Sequence, residues 1–370
     1  MGDKTGIEWT EATWNPVVGC SIKSPGCTNC YAMGEAARLE RMGGKGGAKY
    51  AGLTKPSKAG PVWTGTVRLH QDALGQPLRW ARPRRIFVNS MSDLFHEDMP
   101  FEAIDRVFVV MALAGQHTFQ VLTKRSAKMR EYMAGFSWER AVESCRGPHG
   151  VSVIPRFSID ALRGAFGMRP RFSHERDRSA LPLPNVWLGV SVEDQSRAVE
   201  RVFDLEATPA AVRFLSLEPS LGPVDLRRVD DGESVLDALG GTLSVEGRGT
   251  TRCARLDWVI VGGESGPKAR PMHPSWARSL RDQCAETGIP FLFKQWGEWT
   301  PTQQPAPGGD LGGAMRADRV RIVKPAGEND GHFRRGDVLM ERVGKRAAGR
   351  LLDGVLHDGS PTRRNSAEGD

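Results

Sequence analysis

The stretch IFVNSMSDLFHED, residues 86–98, changes abruptly from an apolar run to polar and charged residues. Residues 86–89 are continuously apolar apart from a final Asn, which is typical of a parallel strand covered on both faces. Pro100 then opens a helical pattern over residues 101–113. A buried strand, a polar strand end and a helix make up one βα unit. The stretch therefore predicts a parallel α/β fold whose strand ends carry the chemistry.

Five further apolar runs resemble the first one. They are residues 119–123, 186–191, 212–217, 258–262 and 291–294. Helical patterns over residues 194–205 and 275–287 fall between these runs, and Gly288 is a good stop for the second. Repeated alternation of strands and helices predicts a parallel α/β architecture. A full or partial barrel and an open doubly wound sheet both fit this pattern.

Three segments interrupt the alternation. Residues 136–183 are polar and rich in Arg and Pro, which indicates an insertion or lid. Residues 227–254 carry Gly240 and Gly241 between short alternating runs, which predicts a hairpin insertion. We expect one α/β domain over residues 1–300 and a C-terminal extension over residues 301–370 with one short helix.

Composition limits the class of protein. The chain of 370 residues has no run of about 18 apolar residues, and its first residues, MGDKTGIEWTE, are unlike a signal peptide. We therefore expect a cytoplasmic protein without a membrane partner. Lys and Arg number 51 against 44 Asp and Glu, a net charge of +7. This excess fits either a generic basic surface or a nucleic-acid-binding protein.

Three of the six cysteines, Cys20, Cys27 and Cys30, have the spacing C-x6-C-x2-C. A structural zinc site usually has four ligands, often as two CxxC pairs, and no second pair follows here. A 4Fe-4S cluster also takes four ligands, so three thiolates leave one iron open to a cofactor or substrate. The spacing favours such a cluster. A zinc knuckle and plain buried thiols are the alternatives.

This arrangement resembles the radical S-adenosyl-L-methionine (SAM) superfamily, in which a three-cysteine loop follows an N-terminal strand and a series of strands and helices comes after. The usual spacing there is C-x3-C-x2-C, so the first gap here is longer. The resemblance implies that SAM binds the open iron, that an electron donor reduces the cluster, and that a 5′-deoxyadenosyl radical attacks the substrate. It also implies a parallel-sheet TIM-like barrel, partial or full, with insertions.

A closer resemblance covers most of the chain and is carried by eight stretches. They are IEWTEATWNPVVGC (7–20), RRIFVNSMSDLFHED (84–98), FQVLTKR (119–125), NVWLGVSVED (185–194), RFLSLEPSLGPVDL (213–226), LDWVIVGGESGPKARPMHP (256–274), FLFKQWGEW (291–299) and VGKRAAGRLLDG (343–354). Together they resemble the phage-type three-Cys-motif family of uncharacterised proteins. Its members occur in phages and bacterial chromosomes and are regarded as radical SAM-like.

The radical SAM resemblance implies roles for residues at the first strand ends. Ser90, Ser92 and Asp93 occupy the place that contacts the SAM amino group, although Asp93 capping the next turn is an equal alternative. Lys124 and Arg125 could each pair with the SAM carboxylate or with a substrate phosphate.

Later strand ends supply further candidates. Ser191 and Glu193 suit ribose hydroxyls. Glu218 would be an inward carboxylate, or else a buried partner of Lys124 or Arg125.

The segment GGESGPKARPMHP, with Gly262, Gly263 and Glu264, resembles a SAM adenine or ribose segment in which glycines let the backbone approach a ligand. Arg270 and His273 follow within it. Lys294, Gln295 and Trp296 end the series of strands, and Trp296 either stacks on a base or packs in the core. Among the isolated cysteines, Cys145 is the candidate hydrogen-atom donor, whereas Cys284 fits the core. We expect Lys124, Glu218 and Cys145 to be the catalytic residues.

The substrate expected from charge, the Arg-rich insertion and the phage association is a nucleic acid or nucleotide, to be modified or repaired. The candidate phosphate contacts are Arg84, Arg85, Arg169, Arg171 and Arg176, and Lys345, Arg346 and Arg350 lie either on a phosphate or on a solvated face. Two alternatives stay open. One is a non-enzymatic zinc- or cluster-containing nucleic-acid-binding protein, and the other is a radical SAM enzyme that acts on a peptide or small molecule.

Overall fold

The computed structural model describes residues 5–146, 152–154, 158–165, 181–302, 319–327 and 334–361. The chain forms two compact units. The first unit comprises Met1–Ser191 and Arg201–Ala211, and the second comprises Val192–Glu200 and Val212–Asp370.

The first unit contains eight of the described strands and seven complete helices. The strands are β1 (Ala12–Trp14), β2 (Val17–Val18), β3 (Thr54–Lys55), β4 (Val62–Trp63), β5 (Arg68–Leu69), β6 (Arg85–Val88), β7 (Thr118–Thr123) and β8 (Val186–Ser191). The helices are α1 (Tyr31–Met42), α2 (Gly44–Ala48), α3 (Gln71–Leu74), α4 (Phe101–Leu113), α5 (Ser126–Ala134), α6 (Trp138–Ser144) and α7 (Ile159–Ala165), with 3-10 turns at Pro25–Cys27 and Pro77–Arg79. Helix α8 (Gln195–Glu206) has residues in both units.

Strands β1, β6, β7 and β8 lie side by side in that order and pair in parallel. Ile86 lies beside Phe119, which lies beside Val186, and none of the three is more than 2% exposed. This continuous apolar row is what the uninterrupted runs of the sequence predict for strands covered by helices. Parallel pairing places the carboxyl ends of β6, β7 and β8 at one edge of the sheet.

The second unit contains twelve of the described strands and two complete helices. The strands are β9 (Val212–Leu217), β10 (Val229–Asp230), β11 (Ser234–Asp237), β12 (Thr242–Val245), β13 (Gly249–Arg252), β14 (Trp258–Gly262), β15 (Phe291–Gln295), β16 (Trp299–Pro301), β17 (Val320–Val323), β18 (Val338–Arg342), β19 (Leu351–Leu352) and β20 (Val355–Leu356). The helices are α9 (Pro274–Thr287) and α10 (Lys345–Ala348).

Strands β9, β14 and β15 are parallel neighbours, with β14 in the middle. The remaining strands form small antiparallel sheets, of which β10 to β13 is the largest. Helix α9 follows β14 and ends at Gly288, whose left-handed φ of 68° closes the helix.

The parallel α/β class expected from the sequence is confirmed. Each of the six apolar runs is a strand, and the helix predicted over residues 101–113 has those bounds. Residues 147–151, 155–157 and 166–180 of the predicted insertion lie outside the described residues. Within the part of the chain that the structure describes, no helix combines the length and apolar character needed to cross a membrane.

Candidate functional site

The three clustered cysteines lie in one loop that follows strand β2. Cys20 comes two residues after the strand, Cys27 ends the 3-10 helix Pro25–Cys27, and Cys30 immediately precedes helix α1. Local hydrogen bonds shape this loop. The Cys27 amide donates to the Ser24 carbonyl at 2.9 Å, and the Cys30 amide donates to the Cys27 carbonyl at 3.2 Å. Residues 19–30 therefore form one loop that contains all three cysteines, and we call this segment the cysteine loop.

Gly19 sets the direction in which the cysteine loop leaves β2. Its φ of 89° is in the left-handed region that favours glycine. A Cβ atom here would lie 2.1 Å from the Thr66 carbonyl oxygen. Gly19 also forms a parallel β-bridge with Ser92, next to the end of β6. The loop therefore starts at the same edge as the carboxyl end of β6.

The three sulfur atoms lie within electrostatic range of one another. Burial raises the pKa of the Cys20 thiol to about 12, and the Asp93 carboxylate adds to the rise, as do Cys30 and Cys27 when they are ionised. Burial also raises the pKa of Cys30. Two cations oppose these rises, Arg125 at Cys20 and Lys124 at Cys30. Both thiols are protonated at neutral pH unless a bound metal stabilises the thiolates.

Among the described residues, no set of three or more His, Cys, Asp or Glu side chains is placed so that it could hold a metal ion. A tetrahedral zinc ion needs its ligands to converge on one point, and Cys20, Cys27 and Cys30 are not arranged in that way. A 4Fe-4S cluster places a different demand, because each thiolate binds a different iron atom. Three soft thiols in one loop are the kind of donor that such a cluster takes, and they leave its fourth ligand position open.

Arg125 holds the cysteine loop from the carboxyl end of β7. Its side chain is 3% exposed, and each of its five N–H donors has an acceptor. Nη1 donates to Asp93 Oδ2 at 3.1 Å and Cys20 Sγ at 3.6 Å, Nη2 to the carbonyl and hydroxyl oxygens of Ser21 at 3.2 and 2.7 Å, and Nε to Glu97 Oε2 at 3.0 Å. We expected Arg125 to face SAM or a phosphate, but the structure uses its donors inside the protein.

Asp93 is the centre of the same network. Its Oδ1 accepts from the Phe95 amide at 3.0 Å and from Thr123 Oγ1 at 2.7 Å. Its Oδ2 accepts from the Lys124 amide at 3.0 Å and from Arg125. The bond to Phe95 is the turn cap that the sequence offered as one alternative. Asp93 thus joins the ends of β6 and β7, and its contact with the SAM amino group stays a prediction.

Ser90 and Ser92 connect the end of β6 to the segment before the cysteine loop. Ser90 Oγ exchanges hydrogen bonds with the Asn15 side chain at 3.2 Å, and Ser92 Oγ donates to the Val17 carbonyl at 2.8 Å. Tyr31, which follows Cys30, donates its hydroxyl to the Ser90 carbonyl at 2.7 Å. Both ends of the cysteine loop are therefore tied to the segment that follows β6.

Lys124 and Ser191 come together as neighbouring strand ends. Lys124 Nζ donates to Ser191 Oγ at 2.7 Å, across from β7 to β8. Arg201 Nη1 donates to the Ser191 carbonyl at 2.6 Å. The charge of Lys124 reaches Cys30, as the effect on the Cys30 pKa shows. Cys20, Cys30, Asp93, Lys124 and Ser191 therefore belong to one site.

Within the second unit, Glu218 pairs with Lys294. The ammonium and the carboxylate lie 2.9 Å apart at the ends of β9 and β15, with 17% and 16% of their side chains exposed. Ser216 Oγ donates to Glu218 Oε2 at 3.4 Å. The sequence led us to Lys124 or Arg125 as the partner of a paired Glu218. The structure selects Lys294 because β14 alone separates β9 from β15.

Gly262 and Gly263 lie where the protein itself approaches their backbone. A Cβ on Gly262 would lie 2.6 Å from Glu218 Oε1, and one on Gly263 would lie 2.0 Å from the Trp296 carbonyl oxygen. Trp296 is 4% exposed, donates Nε1 to the Leu351 carbonyl at 2.8 Å and packs edge-on against Phe293. Trp296 therefore packs in the core, as the second of its two predicted alternatives stated.

The other polar groups after β14 and β15 form local pairs. Glu264 accepts from the Arg270 guanidinium, with Oε1 2.6 Å from Nη2. Gln295 Nε2 donates to Ser265 Oγ at 2.9 Å. His273 Nδ1 accepts from the Ser275 amide at 3.1 Å and so caps helix α9. These contacts hold the turns after the two strands.

Three predicted residues lie apart from these strand-end contacts. Cys145 directly follows helix α6, is fully buried, and its sulfur lies 3.7 Å from Ser144 Oγ. Glu193 is fully buried after β8, and its carbonyl accepts from the Leu221 amide. Cys284 is fully buried in α9, as expected for a core thiol.

The basic residues predicted to contact phosphate lie in several separate parts of the chain. Arg84 lies over the Trp80 ring at 5.0 Å, and Arg85 Nε lies 3.8 Å from Glu11. Lys345 and Arg346 belong to the short helix α10, and Arg350 Nε donates to the Lys294 carbonyl at 2.9 Å. Arg169, Arg171 and Arg176 lie outside the described residues.

Sequence reasoning missed four residues that support the cysteine loop: Ser21, His96, Glu97 and Lys128. Ser21 Oγ lies 2.8 Å from His96 Nε2. Lys128 Nζ donates to the carbonyls of His96, Glu97 and Met99 at 2.6 to 2.7 Å. The available signal, for His96 and Glu97, was the polar run HED at residues 96–98, eight residues after the last residue of β6.

The fold and this site define an α/β protein that carries a three-thiol candidate cofactor site at the carboxyl ends of parallel strands. A family model described as a protein of unknown function, DUF5131, matches residues 4–361. The chain therefore belongs to that family. No curated protein and no solved structure matches the chain.

Proposed function

We propose that the protein is a radical SAM-type iron–sulfur enzyme on a partial TIM-like barrel, of the phage-type three-Cys-motif kind. The observation that supports this most is the cysteine loop itself. Three thiols are gathered in twelve residues and held at the carboxyl ends of parallel strands by Asp93 and Arg125. In parallel α/β proteins, that edge is where reactions take place.

Cys20, Cys27 and Cys30 would hold the 4Fe-4S cluster, with one iron open for SAM. When bound, the cluster supplies the electron that cleaves SAM to methionine and a 5′-deoxyadenosyl radical. The role of the protein is to bind and orient SAM and to exclude water from the site. We assign the SAM carboxylate to Lys124, because its charge reaches Cys30 and its ammonium group is held by Ser191.

The proposed substrate is a nucleic acid or a nucleotide. The net charge of +7 supports a phosphate-bearing substrate. A non-enzymatic zinc protein is the competing proposal. A structural zinc site usually has four protein ligands, often as two CxxC pairs, and the sequence contains no second pair.

Reconstitution with iron and sulfide without oxygen tests the cluster. We expect a brown protein with broad absorption near about 400 nm that bleaches on reduction. Cys20→Ala, Cys27→Ala and Cys30→Ala should each abolish it, whereas Cys253→Ala, a half-buried thiol outside the loop, is the matched control. Reduced protein with SAM should release 5′-deoxyadenosine. A colourless protein with one zinc per chain would reject the proposal.

Labelled single- and double-stranded oligonucleotides, titrated at two salt concentrations, test the substrate class. Each phosphate contact should add roughly 0.7–0.9 to the slope of log affinity against log salt. Single strands should bind better, since a stacked base cannot reach a buried radical. Absence of binding at low salt would redirect the proposal to a peptide or small molecule.

A further inference from the structure

Arg125 is a buried cation beside the cysteine loop, and all five of its donors are used at once. Two of its acceptors are the carboxylates of Asp93 and Glu97, two belong to Ser21, and one is the sulfur of Cys20. Burying a cation is costly unless it is paired and fully hydrogen-bonded, and Arg125 meets both conditions. The position and orientation of the Arg125 guanidinium are therefore fixed by its five acceptors.

The groups around Arg125 are themselves fixed. Lys128, one helical turn later in α5, binds three carbonyls of residues 96–99 and so holds the segment that carries Glu97. Asp93 is held by the amides of Phe95 and Lys124. Arg125 thus connects a rigid strand end to the first cysteine of the loop, and it lies 105 residues away from that cysteine in the sequence.

We propose that Arg125 is a positioning residue for the cofactor: it fixes Cys20 in place and donates a hydrogen bond to the Cys20 sulfur, which raises the reduction potential of the cluster bound there. The second part rests on the proposed function. Hydrogen bonds to cluster sulfurs and nearby positive charge stabilise the reduced state, which carries one more negative charge. The same cation therefore both holds the loop and makes the cluster easier to reduce.

Lysine cannot replace Arg125 in this role. A guanidinium presents five donors in a rigid plane, whereas an ammonium has three donors around one atom. Lysine at position 125 would retain the charge but could serve at most three of the five acceptors. Arg125→Lys and Arg125→Gln therefore separate the charge from the geometry.

The experiment uses two measurements on Arg125→Lys, Arg125→Gln and a control. The control is Arg130→Gln, on the same helix, where a half-exposed arginine pairs with Asp204. Amide hydrogen exchange of residues 19–30 is measured in the cluster-free protein, and the midpoint potential is measured after reconstitution. We expect faster exchange in the cysteine loop for both variants, more so for Gln, and a more negative potential for Gln than for Lys. The control should match the wild type in both.

Each possible result tests a different part of the proposal. Unchanged exchange of residues 19–30 in Arg125→Gln would overturn the positioning role. Faster exchange with an unchanged potential would overturn the hydrogen bond to the cluster. A wild-type protein that binds no cluster would reject the proposed function, while the exchange data would still decide the positioning. If Arg125→Gln does not fold, Glu97→Ala removes one half-exposed acceptor and should loosen the loop to a smaller extent.

Discussion

The strand ends of the two units use their charged residues in different ways. In the first unit, Arg125 at the end of β7 reaches Cys20, 105 residues earlier, and is almost completely buried. In the second unit, Glu264 after β14 pairs with Arg270, six residues later, and 34% of the arginine side chain is exposed. The first arrangement holds a distant loop that carries thiols, whereas the second holds a local turn.

This difference has an energetic consequence. A charge that loses its partner in a buried network stays buried, whereas a half-exposed charge can turn to water. A buried network such as that of Arg125 is therefore more costly to break than a partly exposed pair such as that of Arg270. The comparison also separates residues that build a site from residues that only close a turn, and the following predictions test it.

The largest effect is expected for Asp93→Ala compared with Glu264→Ala. Loss of Asp93 leaves one N–H of Arg125, the Thr123 hydroxyl and two amides without an acceptor, so the free energy of unfolding should fall by about 3–5 kcal/mol. Glu264→Ala should lower it by only about 1–2 kcal/mol, because Arg270 can reach solvent. Urea unfolding followed by circular dichroism measures both. Equal losses would mean that the two networks do not differ as the structure indicates.

Gly263→Ala should have the next largest effect. Its Cβ would come within 2.0 Å of the Trp296 carbonyl oxygen, and backbone cannot move aside as a side chain can. The expected loss of stability is about 2–3 kcal/mol. Gly34→Ala is the matched control, since Gly34 lies exposed in helix α1 with nothing near its Cβ position, and it should stabilise by about 0.5–1 kcal/mol. A Gly263→Ala protein as stable as the wild type would contradict the close approach.

The smallest effect concerns two histidines, one in each unit. Nδ1 of His70 accepts from the Ala73 amide at 3.1 Å, and Nδ1 of His273 accepts from the Ser275 amide, so each caps a helix in its neutral form. Burial lowers the pKa of both below the ordinary value of 6.5. Both histidines therefore bind protons more readily in the unfolded chain than in the folded protein. Their stabilisation of the folded state is complete above pH 6.5 and is lost as the pH falls below that value.

As the pH falls from about 7.5 to about 5.5, each of these histidines should therefore lower the free energy of unfolding. His70→Asn and His273→Asn replace the capping nitrogen with a capping oxygen that cannot titrate, so each should flatten the pH dependence of unfolding. Urea midpoints at several pH values measure this. A variant whose midpoint falls with acid as steeply as that of the wild type would show that its histidine is not the titrating group.

Much of the fold could be predicted from the sequence, because each strand and its helix are encoded within a few neighbouring residues. The run at residues 186–191 is uninterrupted in apolar character except for small residues, and it is a strand with those bounds. The site was predicted less completely. The sequence identified Lys124 and Glu218 as candidates, yet it indicated Lys124 or Arg125 as the partner of a paired Glu218, and the structure shows Lys294.

The sequence by itself determined the parallel α/β class, the polar strand ends and the grouping of Cys20, Cys27 and Cys30 in one loop. All three depend on residues close together in the chain, where periodicity and spacing act directly. Only the tertiary structure decided that Arg125 faces Cys20, Ser21, Asp93 and Glu97 rather than a ligand. Such contacts depend on which strand lies beside which, and strand order is set by the packing of the whole sheet rather than by any local stretch.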